Sequence, residues 1–177
     1  MKSEKSETGK AVRVEGESVS EKVREEVKKE VEALKKQGGS VGIAVIIVGN
    51  NPASRTYVNN KKKACEAAGI LSEEYALPEE TTQEELLALV EELNHKDSIN
   101  GILCQLPLPK QLDEEAVIAA ISEKKDVDAF SAVNVGHIMI GDYSFLPCTP
   151  AGIMEILRHY NIDVAGQECV VIGRSNI

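Results

Sequence analysis

The feature that most constrains this chain is an apolar run from Val41 to Val48. It is far short of the ~20 residues a helix needs to cross a bilayer. It also lacks the polar–apolar alternation of a strand with one face in water. Continuous and largely β-branched, it reads as a parallel strand covered on both faces. Such a strand requires helices above and below it, and the flanking sequence supplies them.

From Ser18 to Lys36 the residues Val19, Val23, Val27, Val31 and Leu34 recur at helical spacing and form one amphipathic stripe. Ser18 and Glu21 have capping-box spacing, and Gly38 and Gly39 end the helix. After the central run, Asn50 to Ala53 turns the chain and Ser54 is placed to cap a second helix running to about Ala68. A short strand is expected at Ser72 to Leu77. Thr82 with Glu85 opens a third helix whose Leu86, Leu89, Val90 and Leu93 face inward. Gly101 to Gln105 reads as the next strand, and Asp113 caps a helix through Ile121. Thr149 followed by Pro150 is an N-cap and first-turn pair for a helix to about Tyr160. Glu168 to Ile172 reads as another strand, with a turn at Gly173. Strands alternating with helices predict a parallel α/β sheet.

Composition narrows the function classes. The 177 residues carry a net charge of −9, so nucleic acid is a poor partner. No stretch is suited to a membrane. Met1 to Lys10 is polar, lacks the apolar core of a secretory signal, and reads as a disordered tail. Cys65, Cys104, Cys148 and Cys169 are scattered without a C-x-x-C pair, which predicts buried free thiols and a reduced, cytoplasmic setting. His95, His137 and His159 form no motif, and no metal site is expected.

Four places could carry chemistry. Tyr57 and Lys61 are four apart on the second helix and share a face. A lysine turned into a covered cleft loses hydration, which would bring it toward acid–base work. With Lys62 and Lys63 beside it, the same pattern also fits a solvated basic stripe. Gln105 ends a strand ahead of Leu106-Pro107-Leu108-Pro109, at the carboxyl end of the sheet, where open α/β folds place ligand contacts. Asp126 and Asp128 flank Val127, so an extended segment would turn both carboxylates one way; a solvated loop is the plainer alternative. Finally, Val170 to Ser175 looks like a strand entering a phosphate-binding turn, with Gly173 allowing close backbone approach and Arg174 suited to a 2′-phosphate.

Taken together these segments are more specific than any one. Val48-Gly49-Asn50-Asn51-Pro52-Ala53-Ser54 with Tyr57-x-x-x-Lys61 resembles the first signature of the methylenetetrahydrofolate dehydrogenase/cyclohydrolase family. Gly101 to Pro109 resembles its second. Lys125-Asp126-Val127-Asp128, Asn134-Val135-Gly136, Pro147-Cys148-Thr149-Pro150 and Gly173-Arg174-Ser175 follow in family order, so the resemblance runs from about Val14 to Ile177. Short-chain dehydrogenases also use Tyr-x-x-x-Lys, but their glycine-rich cofactor turn precedes the tyrosine, whereas Gly173 follows Tyr57.

The resemblance implies a three-layer α/β/α folate-binding catalytic domain over residues 11–148. Residues 149–177 would be the connecting helix and the truncated start of a Rossmann-like NAD(P)-binding domain. It implies that Lys61 is the principal catalytic group, that Tyr57 positions it and the folate, that Gln105 holds or polarises it, and that Asp128 binds the pterin edge. Ser54, Leu106 and Pro107 would contribute to the substrate site, and Gly173, Arg174 and Ser175 to NADP. The implied reactions are oxidation of 5,10-methylenetetrahydrofolate with NADP and hydrolysis of the methenyl product to 10-formyltetrahydrofolate, in a cytoplasmic homodimer.

Two departures modify this. Ala129 stands where the family usually has glycine; at positive φ alanine strains a turn by ~1 kcal/mol or more. The family also continues beyond Gly173-Arg174-Ser175, and a later glycine- and proline-rich segment helps shape its folate site. The expectation for these residues alone is therefore weak folate binding and residual cyclohydrolase activity without hydride transfer. The alternative is a folate-binding or dimerising domain impaired in catalysis.

Overall fold

The computed structural model describes residues 14–173. The tail at Met1 to Lys10, and Arg174 and Ser175 of the expected cofactor turn, lie outside the described residues. The elements follow as α1 (Gly16–Lys36), β1 (Gly42–Val48), α2 (Pro52–Ala68), β2 (Leu71–Leu77), α3 (Gln83–His95), β3 (Gly101–Cys104), α4 (Glu114–Ala120), α5 (Ala132–Ile140) and α6 (Cys148–His159).

The apolar run becomes β1, the middle strand of a parallel sheet ordered β2-β1-β3. Its residues alternate between two cores. Ala44, Ile46 and Val48 pack with Leu86, Val90 and Leu93 of α3 and with Val117 and Ile121 at α4, while Val45 and Ile47 pack with Val58 of α2 and Leu103 of β3. The three layers expected from the sequence are thus present. Each large side chain buried here contributes roughly 1.5–3 kcal/mol, so β1 anchors both faces.

Several caps form as the sequence predicts. Thr82 and Glu85 make the reciprocal capping box of α3, and Asp113 caps α4 through Ala116 N–H. Others do not. Asn51, not Ser54, caps α2, accepting from the N–H groups of Ala53 and Ser54, with Pro52 in the first turn and Gly69 closing the helix at φ 78°. A proline at the start moved the helix boundary ahead of the serine. The box expected from Ser18 and Glu21 is absent because α1 begins at Gly16. Its entry is held from afar: Tyr160 Oη accepts from Glu15 N–H at 3.0 Å and donates to Glu15 C=O at 3.2 Å. Likewise α6 starts at Cys148, so Thr149 is inside it rather than capping it.

Helix α5 has no counterpart among the sequence-based elements. Ser131 caps it, accepting from Asn134 N–H, and Gly141 ends it at φ 79°. The segment Glu168 to Ile172 is not a strand: it pairs with no neighbour, and Val170, Val171 and Ile172 are 85%, 86% and 97% exposed. An apolar run becomes a strand only where a ladder partner exists, and none lies beside it among the described residues. All four cysteines are free, but only Cys104 is buried; Cys65 is half-buried, and Cys148 and Cys169 are exposed.

Candidate active site

The carboxyl ends of β1 and β3, the inward face of α2 and the loop between α4 and α5 converge on one place. Gln105 directly follows β3, and its backbone N–H bonds Ile46 C=O at 2.8 Å, fixing its departure from the sheet. Its side-chain amide donates to Leu106 C=O at 2.8 Å, which leaves Oε1 turned outward. Lys61 Nζ donates to that oxygen at 3.1 Å. Because an ammonium can only donate, the acceptor end of the amide must face it. Lys61 therefore departs from a solvated stripe: it is half-buried, while Lys62 and Lys63 are exposed.

Asp128 completes the centre. Burial pushes its carboxyl above the ordinary carboxylate range; Lys61 opposes that shift and Asp126 adds to it. Two thiols lie within electrostatic reach. Burial, reinforced by the charges of Asp128 and Glu114, pushes Cys104 up to about 12. Cys148, though its residue is open to solvent, is raised by partial desolvation and by Asp128, with Lys61 acting in the opposite sense. A thiol held protonated is a poor nucleophile, so neither cysteine is suited to covalent chemistry. The arrangement offers an amine anchored by a neutral amide beside a carboxyl group. Groups so arranged can move protons and hold the polar edge of a small molecule.

The other expected residues divide. Tyr57 shares the helix face with Lys61 but stands 63% exposed at the mouth, and the amine bonds Gln105 rather than the phenol. Leu106 is half-buried and Pro107 is exposed, joined by a cis peptide bond. Ser54 is buried at the start of α2. Arg55, in the first turns of α2, pairs with Glu74 of β2. Gly173 is exposed with open space around it, so the described part of the expected cofactor turn forms no cradle.

Two residues act as supports: Glu114 had no role in the sequence reading, and Asp126, expected to turn the same way as Asp128, is instead bonded internally to Phe130, Ser131 and Asn134. Glu114 accepts from Leu108 N–H at 2.8 Å and steadies the loop after Gln105. Asp126 is 2% exposed and wholly engaged inside the protein. The signal for the second was present: Ser131 lies three residues ahead of Asn134, the spacing of a helix cap. Among the described residues no group of three or more His, Cys, Asp or Glu side chains is placed to hold a metal ion, and no helix is long and apolar enough to cross a membrane.

Comparison with known proteins gives consistent matches. The family model for the tetrahydrofolate dehydrogenase/cyclohydrolase catalytic domain matches residues 14–128, and the model for the corresponding NAD(P)-binding domain matches residues 147–177. A bifunctional protein FolD from Acetivibrio thermocellus is 62% identical over 162 residues, covering 92% of this chain and 57% of the relative. The crystal structure of the FolD methylenetetrahydrofolate dehydrogenase/cyclohydrolase from Campylobacter jejuni superposes with a TM-score of 0.90 at 50% identity, over 93% of this chain and 58% of that one. The Trypanosoma brucei enzyme, solved with NADP cofactor and an inhibitor, superposes at 0.84 with 35% identity, over 88% and 54%. The chain thus spans 57–59% of the length of the first curated relatives it matches.

Proposed function

This chain belongs to the tetrahydrofolate dehydrogenase/cyclohydrolase family, and from that premise we propose that it carries the folate-binding catalytic centre of a bifunctional methylenetetrahydrofolate dehydrogenase and methenyltetrahydrofolate cyclohydrolase. The observation that carries the reading is the 3.1 Å bond from Lys61 to Gln105, with Asp128 in electrostatic reach of the same amine. The methenyl carbon between two folate nitrogens is electrophilic. Water adds to it and gives up one proton; the ring then opens as one carbon–nitrogen bond breaks, the adduct's hydroxyl proton being transferred to the released nitrogen while its oxygen becomes the formyl carbonyl. Lys61 is assigned the proton transfers, Gln105 the positioning of its amine, and Asp128 the N–H donors on the pterin edge. Tyr57 would cover the folate at the mouth, with Leu106 and Pro107 along the loop and Ser54 beneath it.

NADP is the proposed hydride acceptor of the whole enzyme, bound through its NAD(P)-binding domain, which would begin at about residue 149. The described residues do not cradle a dinucleotide, so no step is assigned to one. A cytoplasmic homodimer belongs to the same proposal. The outer edge of β2 supports the dimer: among the described residues β2 lies at one side of the sheet with no strand paired beyond it, whereas β3 is flanked by the Ile102–Asp126 bridge.

The test is to supply the purified 177-residue polypeptide with methenyltetrahydrofolate and follow hydrolysis, and separately to supply methylenetetrahydrofolate with NADP and follow NADPH. Measurable hydrolysis without NADPH is expected. Folate binding with no hydrolysis would favour the catalytically impaired alternative. Appreciable NADPH would show that these residues already hold the dinucleotide.

A further inference from the structure

Asp128 has no hydrogen bond to its own carboxylate among the described residues, yet it lies within electrostatic reach of Lys61. Its position must come from the backbone that bears it. That backbone is fixed on both sides by one buried carboxylate. Asp126 Oδ2 accepts from Ser131 N–H at 2.9 Å and from the Asn134 side-chain amide at 2.9 Å, and its Oδ1 accepts from Phe130 N–H at 3.3 Å. Asn134 also donates to Glu123 C=O at 3.0 Å, so it ties Asp126 to the segment entering the loop. Asp126, Ser131 and Asn134 are 2%, 6% and 6% exposed. Ala129 N–H returns to Asp126 C=O at 3.1 Å, and on the sheet side Asp126 bridges Ile102. Between these anchors the chain has little freedom, and Val127 is packed against the core shared by β1, β3 and α2.

We propose that Asp126 and Asn134 are positioning residues: their buried pairing clamps the 126–131 loop so that Asp128 is presented to Lys61 with its oxygens left free for the substrate. The inference rests on the proposed assignment of Asp128 to the pterin edge. It gives a role to Asn134, which the folate chemistry had left without one. A buried carboxylate satisfied by three donors on a short loop is costly to replace, since removing one partner strands the others. The clamp therefore holds the loop in one place at the moment of binding and adds no ordering cost then.

The test uses the full-length protein and two readouts. The first needs no ligand: the Asp128 carboxyl is titrated by carbon-13 NMR in wild type, Asn134→Ala and Ser131→Ala. Asn134→Ala removes the clamp. Ser131→Ala removes only the hydroxyl that caps α5 and leaves the Asp126–Asn134 bond, so it controls for simple loss of stability. The expected result is that Asp128 relaxes toward the ordinary carboxylate range in Asn134→Ala and stays raised in Ser131→Ala, although both lower the melting temperature. Should Asn134→Ala fail to fold, Asn134→Ser, which keeps a small polar group in the same space, carries the same expectation. The second readout is binding of 5,10-methenyltetrahydrofolate. Asn134→Ala should weaken it on the order of tenfold and should add nothing further in an Asp128→Asn background. An unmoved Asp128 titration, or equal movement in the Ser131→Ala control, overturns the clamp whether or not folate binds. So does an additive effect on binding. A relaxed titration in a protein whose wild type binds no folate upholds the clamp and overturns the folate reading instead.

Discussion

Lys61 and Gln105 lie 44 residues apart in the chain and meet at 3.1 Å, joining the inward face of α2 to the end of β3. Neither residue alone distinguishes a catalytic lysine from a surface one. The contact sets Lys61 apart from its exposed neighbours Lys62 and Lys63, which is what makes the proposed role testable. Lys61→Gln keeps the length and a polar end but cannot take up or release a proton. Cyclohydrolase turnover should fall at least a hundredfold, in line with the loss of a general acid–base group, with the melting temperature nearly unchanged. Unimpaired turnover in a folded variant would falsify the assignment. Tyr57→Phe should be milder, since the exposed ring remains.

Asp128 makes a pH-dependent prediction. Burial raises its folded-state pKa above the ordinary value near 3.8. A raised acid binds its proton more tightly in the folded protein than in the unfolded chain. Its ionisation therefore lowers stability as pH climbs from the unfolded pKa through the folded one, and the loss is constant above that. Asp128→Asn should consequently raise the melting temperature at neutral pH. The gain should shrink as pH falls through that window and vanish once both states are protonated. Folate binding should be weakened but still measurable in the same variant. Equal melting curves for the two proteins at every pH would contradict the burial of this carboxyl.

Ala129 has φ 55° and is fully buried, so the strain expected for a residue in place of glycine is present. Two effects oppose each other in Ala129→Gly. Leaving the left-handed region free of a Cβ recovers roughly 1–2 kcal/mol, while added backbone freedom and a lost buried methyl cost about 0.5–1 and about 0.8 kcal/mol. The substitution should change stability by less than ~1 kcal/mol, where a buried alanine of ordinary conformation would lose nearer ~2. Denaturant titration of the two proteins decides it, and a full ~2 kcal/mol loss would mean that the turn already accommodates alanine.

Gly101 offers a steric test of how the 125–128 segment is held. A Cβ built there would stand 2.4 Å from Cγ1 of Val127. Gly101→Ala must therefore displace Val127 or the strand, at a cost of about 1–3 kcal/mol, and should weaken folate binding through Asp128. Val127→Ala removes the obstructing methyl groups. The double variant should recover part of both losses, and strict additivity of the two substitutions would argue against the contact.

What the sequence determined by itself was whatever depends on neighbours within a turn or two. The run at Val41 to Val48 had to be covered on both faces, Thr82 and Glu85 had to close a capping box, Asp113 had to start α4, and the motifs fell in one family's order. Each rests on periodicity or on a side chain reaching its own backbone, so no knowledge of the rest of the chain was required. Tertiary structure decided the remainder. Tyr160 set the entry to α1 in place of the Ser18 box, Arg55 was taken by Glu74, and Glu168 to Ile172 stayed unpaired because no strand lies beside it among the described residues. Lys61 found Gln105, and Asp126 turned to Ser131 and Asn134 while Asp128 came within electrostatic reach of the amine. These outcomes depend on which distant groups arrive at the same place, and burial then makes a missing partner costly enough to select one arrangement.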